Sequence, residues 1–320
     1  MKRRILIVED ETMIAKDIES KLRNIGYEPL PLVSSGEKAV EKAGKLRPDI
    51  ILMDVVLDGK MDGIEAAGQI KTSFNIPVVY LTAYSDDSTL ERAKVTDPFG
   101  YILKPFGERD LHSTIEMALY KHSNNEKLLK SMEEVIDALA STLEIRDPYT
   151  AGHQRRVADL ARAIALEVNL SDSETRGVYL AALIHDIGKI QVPTEILSKP
   201  GKLMSAEFDM IKTHPQGGYD ILKKVDFPWP IAEIVLQHHE RLDGSGYPCG
   251  LKGKEILMEA KIIAVADTVE AMSFHRPYRA ALGKEKALDE ISTHRGTLYD
   301  PDAVDACLKL FREKGFKFKA

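Results

Sequence analysis

Over the first third of the chain, apolar residues come in short unbroken runs, separated by longer stretches in which they recur every three or four positions. The runs at 3–8 (RRILIV), 49–54 (DIILMD), 77–82 (PVVYLT) and 100–104 (GYILK) are apolar on consecutive positions, as strands buried on both faces require. A weaker fifth lies at 28–33 (EPLPLV), where two prolines interrupt it. Between the runs, 12–24, 36–46, 64–72 and 86–94 carry helical spacing, and 108–120 adds a last helix. Strands alternating with helices join through crossovers, which predicts an α/β doubly wound five-stranded parallel sheet over 1–120.

A helical pattern then continues to about 145. Leu128, Met132, Val135, Leu139 and Thr142 lie near heptad spacing, after a polar break at HSNNE. The stretch 121–145 therefore reads as a helical linker, either exposed or paired as a two-stranded coiled coil between the halves of a homodimer. Pro148 stops or redirects it. Beyond 150 almost no strand signal remains. VADLARAIALEV, TRGVYLAALIHDI, AEFDMIKTHPQGGYDILKKV, PIAEIVLQHH, MEAKIIAVADTVEAM and EKALDEIS follow one another as helical segments, so 146–320 is expected to be an all-α domain.

Composition narrows the function. With 44 basic and 50 acidic residues the net charge is -6, which removes the main driving term for binding a nucleic-acid polymer. Two cysteines exclude a disulfide framework and a thiolate zinc module, and favour the cytoplasm. Glu9 and Asp10 cut the first apolar run too short for a secretory leader, and no run approaches the ~20 residues needed to span a bilayer, so no membrane insertion is expected.

Polar groups stand at the strand ends: Glu9 and Asp10 after the first, Asp54 after the third, Thr82 after the fourth and Lys104 after the fifth. The carboxyl ends of adjacent strands form the ligand crevice of a doubly wound sheet, so these side chains can converge. Three carboxylates beside one Lys call for a hard cation, and Mg²⁺ suits oxygen ligands. With a cation in place, Asp54 can attack a phosphoryl group. This stretch resembles the receiver domain of two-component response regulators, of flavodoxin-like fold. The resemblance implies Asp54 as phospho-acceptor and a Mg²⁺ held by Glu9, Asp10, Asp54 and the carbonyl of Val56. It also implies Thr82 and Tyr101 as a switch pair with Lys104, and a sensor histidine kinase as partner. LDGKMDG at 57–63 departs from the many relatives that have a Pro after the acceptor.

In the second half, His153, His185–Asp186, His214, His238–His239 and Asp267 fall on or at the ends of different expected helices, and account for five of the nine histidines. Asp186 and Asp267 interrupt apolar core stripes (LAALI and IIAVA), where an ionised carboxylate is costly unless paired or metal-bound. Imidazole and carboxylate without thiolate suit Fe, Mn, Zn, Ni or Co. A carboxylate such as Asp186 can bridge two divalent transition metal ions, a charge arrangement that attracts a phosphodiester.

HDIGK at 185–189 and HHERLDGSGYP at 238–248 resemble the signature of HD-GYP phosphodiesterases in the HD superfamily, with RDPYTAGH, ILSKPGKL, AVADTVEAM and RPYR as further matches over roughly 145–312. This implies hydrolysis of cyclic di-GMP to pGpG or GMP. The implied catalytic residues are His185, Asp186 and Lys189, and the implied ligands are His153, His185, Asp186, His214, His238, His239 and Asp267. Lys189, Arg276 and Arg279 are the implied contacts to substrate, and Asp243 is expected to fix the GSGYP turn. Tyr149 stands where three-metal members carry Glu, so two metals are expected, and Glu270 stands where many relatives have Asp. Another cyclic dinucleotide as substrate, or a non-catalytic adaptor docking through the GYP surface, are the competing readings.

Overall fold

The computed structural model describes residues 2–83, 92–93, 96–146, 152–199, 201–275 and 281–318. By its internal contacts the chain divides into two units, Met1–Lys130 and Ser131–Ala320.

In the first unit, β1 (Arg4–Val8), β2 (Glu28–Pro29), β3 (Ile50–Asp54), β4 (Val78–Thr82) and β5 (Gly100–Leu103) form one sheet of order β2-β1-β3-β4-β5, every pair parallel. Alternate residues of each strand supply two cores. Leu6, Ile51, Met53 and Tyr80 face one layer of helices, while Ile5, Ile7, Leu52 and Leu81 face the other. Helices α1 (Thr12–Asn24), α2 (Gly36–Leu46) and α3 (Gly63–Phe74) join the first strands. Asp62 caps α3, accepting from the Glu65 amide while the Glu65 carboxylate accepts from the Asp62 amide. The run at 28–33 yields only the two-residue β2 and an isolated bridge between Val8 and Val33. Pro29 and Pro31 have no N–H to give a ladder, which confines pairing to its ends. The expected helix over 86–94 falls for the most part outside the described residues.

One helix, α4, spans Glu108–Arg146, so the polar break at HSNNE does not interrupt it. Leu111, Ile115 and Ala118 belong to the core of the first unit, and Ile136, Ala140 and Leu143 to that of the second. The buried stripe of its second part is thus not the heptad set: Leu128, Val135 and Leu139 are 72%, 60% and 44% exposed.

The rest of the second unit is helical: α5 (His153–Glu167), α6 (Asp172–Leu183), α7 (Thr194–Leu197), α8 (Ser205–Ile211), α9 (His214–Leu222), α10 (Ile231–Gln237), α11 (Met258–Ser273), α12 (Lys284–Thr293) and α13 (Pro301–Arg312). Their apolar faces share one core, in which α5, α6 and α11 bury Val157, Leu160, Ile164, Leu180, Ile262 and Val265 completely. Two expected helices are shorter than their patterns. TRGVYLAALIHDI ends its α-helix at Leu183 and turns into a 3₁₀ segment, Ile187–Gln191. AEFDMIKTHPQGGYDILKKV splits into α8 and α9, because Pro215 fits the first turn of a helix and not the middle of one.

Candidate phospho-acceptor pocket and candidate metal centre

In the first unit, the register sets Val8 beside Met53, Asp54 beside Leu81 and Thr82 beside Leu103, so the carboxyl ends of four strands lie level. Glu9, Asp10, Asp54, Thr82 and Lys104 meet there. Lys104 Nζ donates to Glu9 Oε2 and to Asp54 Oδ2, each at 2.6 Å. The Val56 amide donates to Asp54 Oδ1 at 3.1 Å, and the Asp58 amide to Asp10 Oδ2 at 3.2 Å. A cavity of about 700 Å³ opens onto Asp10, Asp54, Val56, Thr82 and Lys104. Tyr101 pairs with Tyr80 across the ladder, their rings 5.8 Å apart.

Charge in this pocket is unbalanced. Oxygens of Glu9, Asp10 and Asp54 lie within 4.8 Å of one another. Burial, opposed by Lys104 and reinforced by Asp54, pushes the Glu9 carboxyl up to about 6. Lys104 is held above its ordinary value because its bonds to Asp54 and Glu9 outweigh its own desolvation. An oxygen-only acidic set with one cation against it fits a hard divalent ion such as Mg²⁺.

In the second unit, the candidate ligands assemble at helix ends. His185 and Asp186 follow α6, His238 and His239 follow α10, His214 opens α9 just past α8, His153 opens α5, and Asp267 lies within α11. A helix leaves its last carbonyls without intrahelical donors, and three of the rings take up such carbonyls. His185 Nδ1 lies 2.7 Å from Ala182 O, His214 Nδ1 2.6 Å from Ile211 O, and His238 Nδ1 2.6 Å from Val235 O. Only an N–H can serve a carbonyl, so each Nδ1 donates and each neutral ring turns the lone pair of Nε2 inward.

Those lone pairs converge. His214 Nε2 and His238 Nε2 are 3.2 Å apart, and His239 joins them within one ligand-sized group. A second such group is His153, His185 and Asp267, with His153 Nε2 3.4 Å from Asp267 Oδ1. Asp186 stands between the two. Its Oδ1 is 3.3 Å from His214 Nε2, and its Oδ2 is 3.5 Å from His185 Nε2 and 3.8 Å from His153 Nε2. Lys189 Nζ donates to the same Oδ2 at 2.6 Å.

Electrostatics keep this set in ligating form. Burial holds His214 down to about 4, against a partial pull upward from Asp186. Burial and neighbouring rings hold His238 and His239 well below the usual imidazole value. Burial alone would raise Asp186, but the ammonium of Lys189 beside it brings it well below the usual carboxylate range. Neutral imidazoles facing one another across 3.2 Å, beside an ionised carboxylate, fit divalent transition metals held by nitrogen and oxygen donors.

Close packing makes this corner intolerant of side chains. A Cβ on Gly188 would lie 1.9 Å from the His214 carbonyl oxygen, and one on Gly246 would lie 2.4 Å from the Glu240 Cα. Glu240, within HHERLDGSGYP, holds the loop: its buried carboxylate accepts from the amides of Cys249, Gly250 and Leu251 at 2.7, 3.2 and 3.0 Å. Asp243 accepts from the amide and hydroxyl of Ser245, a local bond at the turn itself. Tyr247 lays its ring 4.7 Å from that of His239. Arg156 is a second residue that sequence reasoning missed; it donates twice to Glu270 Oε1, whose Oε2 meets His153 Nδ1 at 2.5 Å. Its signal was the spacing of Arg156 three residues after His153, on one helical face. Arg276, Arg279 and Tyr149 lie outside the described residues.

Comparison with known proteins assigns a family to each half of the chain. Residues 5–116 match the model of the response regulator receiver domain, and residues 137–303 match that of the HD domain. A cyclic di-GMP phosphodiesterase of Thermotoga maritima is 36% identical, over 97% of this chain and 90% of that protein. The cyclic di-GMP phosphodiesterase response regulator RpfG of Xanthomonas campestris pv. campestris is 34% identical, over 95% of this chain and 87% of that one. A Vibrio cholerae protein named 3'3'-cGAMP-specific phosphodiesterase 3 is 40% identical over 56% of this chain and 39% of its own length.

Proposed function

Because the chain belongs to the family of response regulators that join a receiver to an HD-domain phosphodiesterase, we infer that it hydrolyses cyclic di-GMP under the control of phosphorylation at Asp54. The observation that carries this reading is Asp186, whose two oxygens face two separate groups of ligand atoms. We assign His153, His185 and Asp267 to one divalent ion, His214, His238 and His239 to the other, and Asp186 to both. Bound there, the ions would supply Lewis acidity toward the phosphoryl oxygens and acidify a water.

The chain's own residues do the rest. The three helix-end carbonyls fix ring orientation by accepting from Nδ1, and burial disfavours a proton on Nε2 of His214 and His238, so these donors stay neutral at working pH. Asp186 holds Lys189 at the edge of the cluster, where its ammonium can meet a non-bridging phosphate oxygen. Water adds to phosphorus as the ester P–O bond breaks, and the departing ribose oxygen takes a proton, giving pGpG and, after a second cut, GMP.

In the receiver, we assign Asp54 as nucleophile toward the phosphoryl group of a sensor histidine kinase, with Mg²⁺ held by Glu9, Asp10, Asp54 and the Val56 carbonyl. Lys104 supports this, since its ammonium lies beside Asp54, where it can neutralise charge on the oxygens of an incoming phosphoryl group. Thr82 and Tyr101 are the switch residues of this reading. The heptad-spaced Leu128, Val135 and Leu139, left exposed, support a homodimer through the linker. Two free cysteines support a cytoplasmic setting, and among the described residues no helix is long and apolar enough to cross a membrane.

The deciding experiment combines metal analysis with product chromatography after incubation with cyclic di-GMP and, in parallel, with 3'3'-cGAMP. Two transition-metal equivalents and pGpG or GMP from cyclic di-GMP are expected, with Asp186→Asn inactive. Turnover of 3'3'-cGAMP alone would transfer the assignment to the substrate named in the Vibrio cholerae relative. A metal-loaded chain that cuts neither is an adaptor.

A further inference from the structure

His153 is held differently from the three rings locked by helix-end carbonyls. Its Nδ1 meets a carboxylate, that of Glu270, at 2.5 Å. A carboxylate on a two-methylene stem orients a ring less firmly than a helix-end carbonyl does, unless it is itself fixed. Arg156 fixes it: Nε and Nη2 donate to Glu270 Oε1 at 2.9 and 2.6 Å, leaving Oε2 for the imidazole. The guanidinium in turn lies 4.1 Å from the centre of the Phe274 ring.

Phe274 is held by the end of the described chain. Its ring meets that of Phe318 edge-on, with centroids 5.3 Å apart. Phe318 packs on Phe311 and Phe316 at 5.6 and 5.8 Å, and Phe311 and Phe316 meet at 5.2 Å. Edge-to-face contacts at these separations fix ring orientation as well as position. The segment carrying Phe316 and Phe318 contributes no candidate ligand, yet packs onto the residue on which Arg156 rests.

We propose that Arg156 is a positioning residue for the metal ligand His153, and that the C-terminal aromatic segment 316–318 is the strap that seats it. The inference rests on the binuclear reading above. It bears unequally on the two halves of the centre: the relay acts directly on His153, whereas the His214, His238 and His239 group is linked to that ring through Asp186. Loosening the strap therefore weakens one metal equivalent and spares the other.

Full-length protein, stripped with a chelator, is titrated with Co²⁺ and followed by visible absorption. The wild type is expected to take up two equivalents. Phe318→Ala and Arg156→Lys are each expected to weaken one equivalent by on the order of 10- to 100-fold, as loss of a ligand's supporting partner does, and to leave the other unchanged. Phe318→Tyr, which keeps the ring, titrates as wild type. With cyclic di-GMP, activity of the weakened variants returns at saturating metal with KM unchanged. Variants that bind both equivalents as the wild type does, or lose both alike, overturn the positioning role. Arg156→Lys, which retains a cation beside Glu270, decides the matter by itself should Phe318→Ala not fold. A wild type that takes up no Co²⁺ overturns the binuclear reading and this inference together, whereas two equivalents with unaffected variants overturn this inference alone.

Discussion

Single side chains in the two units respond to acid with opposite sign. His214 is held down to about 4 when folded, against an ordinary 6.5. Between those values the unfolded chain binds a proton that the folded chain refuses, so stability is complete above 6.5 and falls as pH drops, by roughly 1.4 kcal/mol per pH unit for this ring. His238 and His239 add in the same direction. Urea unfolding of chelator-treated protein is expected to show the second unit's midpoint lower at pH 5 than at pH 7; an unchanged midpoint would contradict the buried neutral rings. Glu9 does the reverse. Its folded value of about 6 exceeds the ordinary 4.5, so its contribution is present below 4.5 and lost as pH rises through 6. Mg²⁺ bound there would offset that loss, and is therefore expected to raise the thermal midpoint of the first unit more at pH 7.5 than at pH 5. Most of these groups could be read from the sequence, because a charged or imidazole side chain interrupting an apolar run has few reasons to be there. Glu240 and Arg156 were harder to see. A carboxylate that binds backbone amides and an arginine that holds another side chain declare themselves only through partners distant in sequence.

At the scale of elements, the turn after α6 controls the centre. Gly188 lies in the 3₁₀ segment against the start of α9, where an added Cβ would meet the His214 oxygen at 1.9 Å and the Gly218 nitrogen at 2.4 Å. Neither atom belongs to a flexible side chain, so the two segments must part. Gly188→Ala is expected to separate Asp186 from His214, to remove at least one metal equivalent, and to cost several kcal/mol of stability in the metal-free chain, as overpacking a rigid contact does. Calorimetry beside metal analysis checks both. The strands were legible because burial on both faces leaves consecutive apolar residues. Helix ends were less so: the break between α8 and α9 and the stop of α6 at Leu183 depend on which carbonyls the following histidines satisfy, which periodicity does not encode.

For the whole molecule, one helix, Glu108–Arg146, supplies core residues to both units and keeps a heptad-spaced apolar stripe in solvent. Burying Leu128, Val135 and Leu139 against a second copy would stabilise the assembly by about 1 kcal/mol or more per side chain, at about 25 cal/mol per Å² of apolar surface. The wild type is expected to sediment as a dimer, and Val135→Glu with Leu128→Glu as a monomer at the same concentration. Wild-type hydrolysis is expected to change on treatment with a phosphoryl mimic, while that of Asp54→Asn does not; equal rates and equal oligomeric state in both would separate the receiver from its output. The three rings whose Nδ1 atoms are spoken for by peptide oxygens carry one more consequence. Rings oriented by the main chain would keep their outline whichever ion entered, so that exchanging one for another would call for no refolding. The element recovered from a purified preparation should therefore follow the supply in the culture medium, with iron-fed and manganese-fed cells yielding the same protein differently loaded.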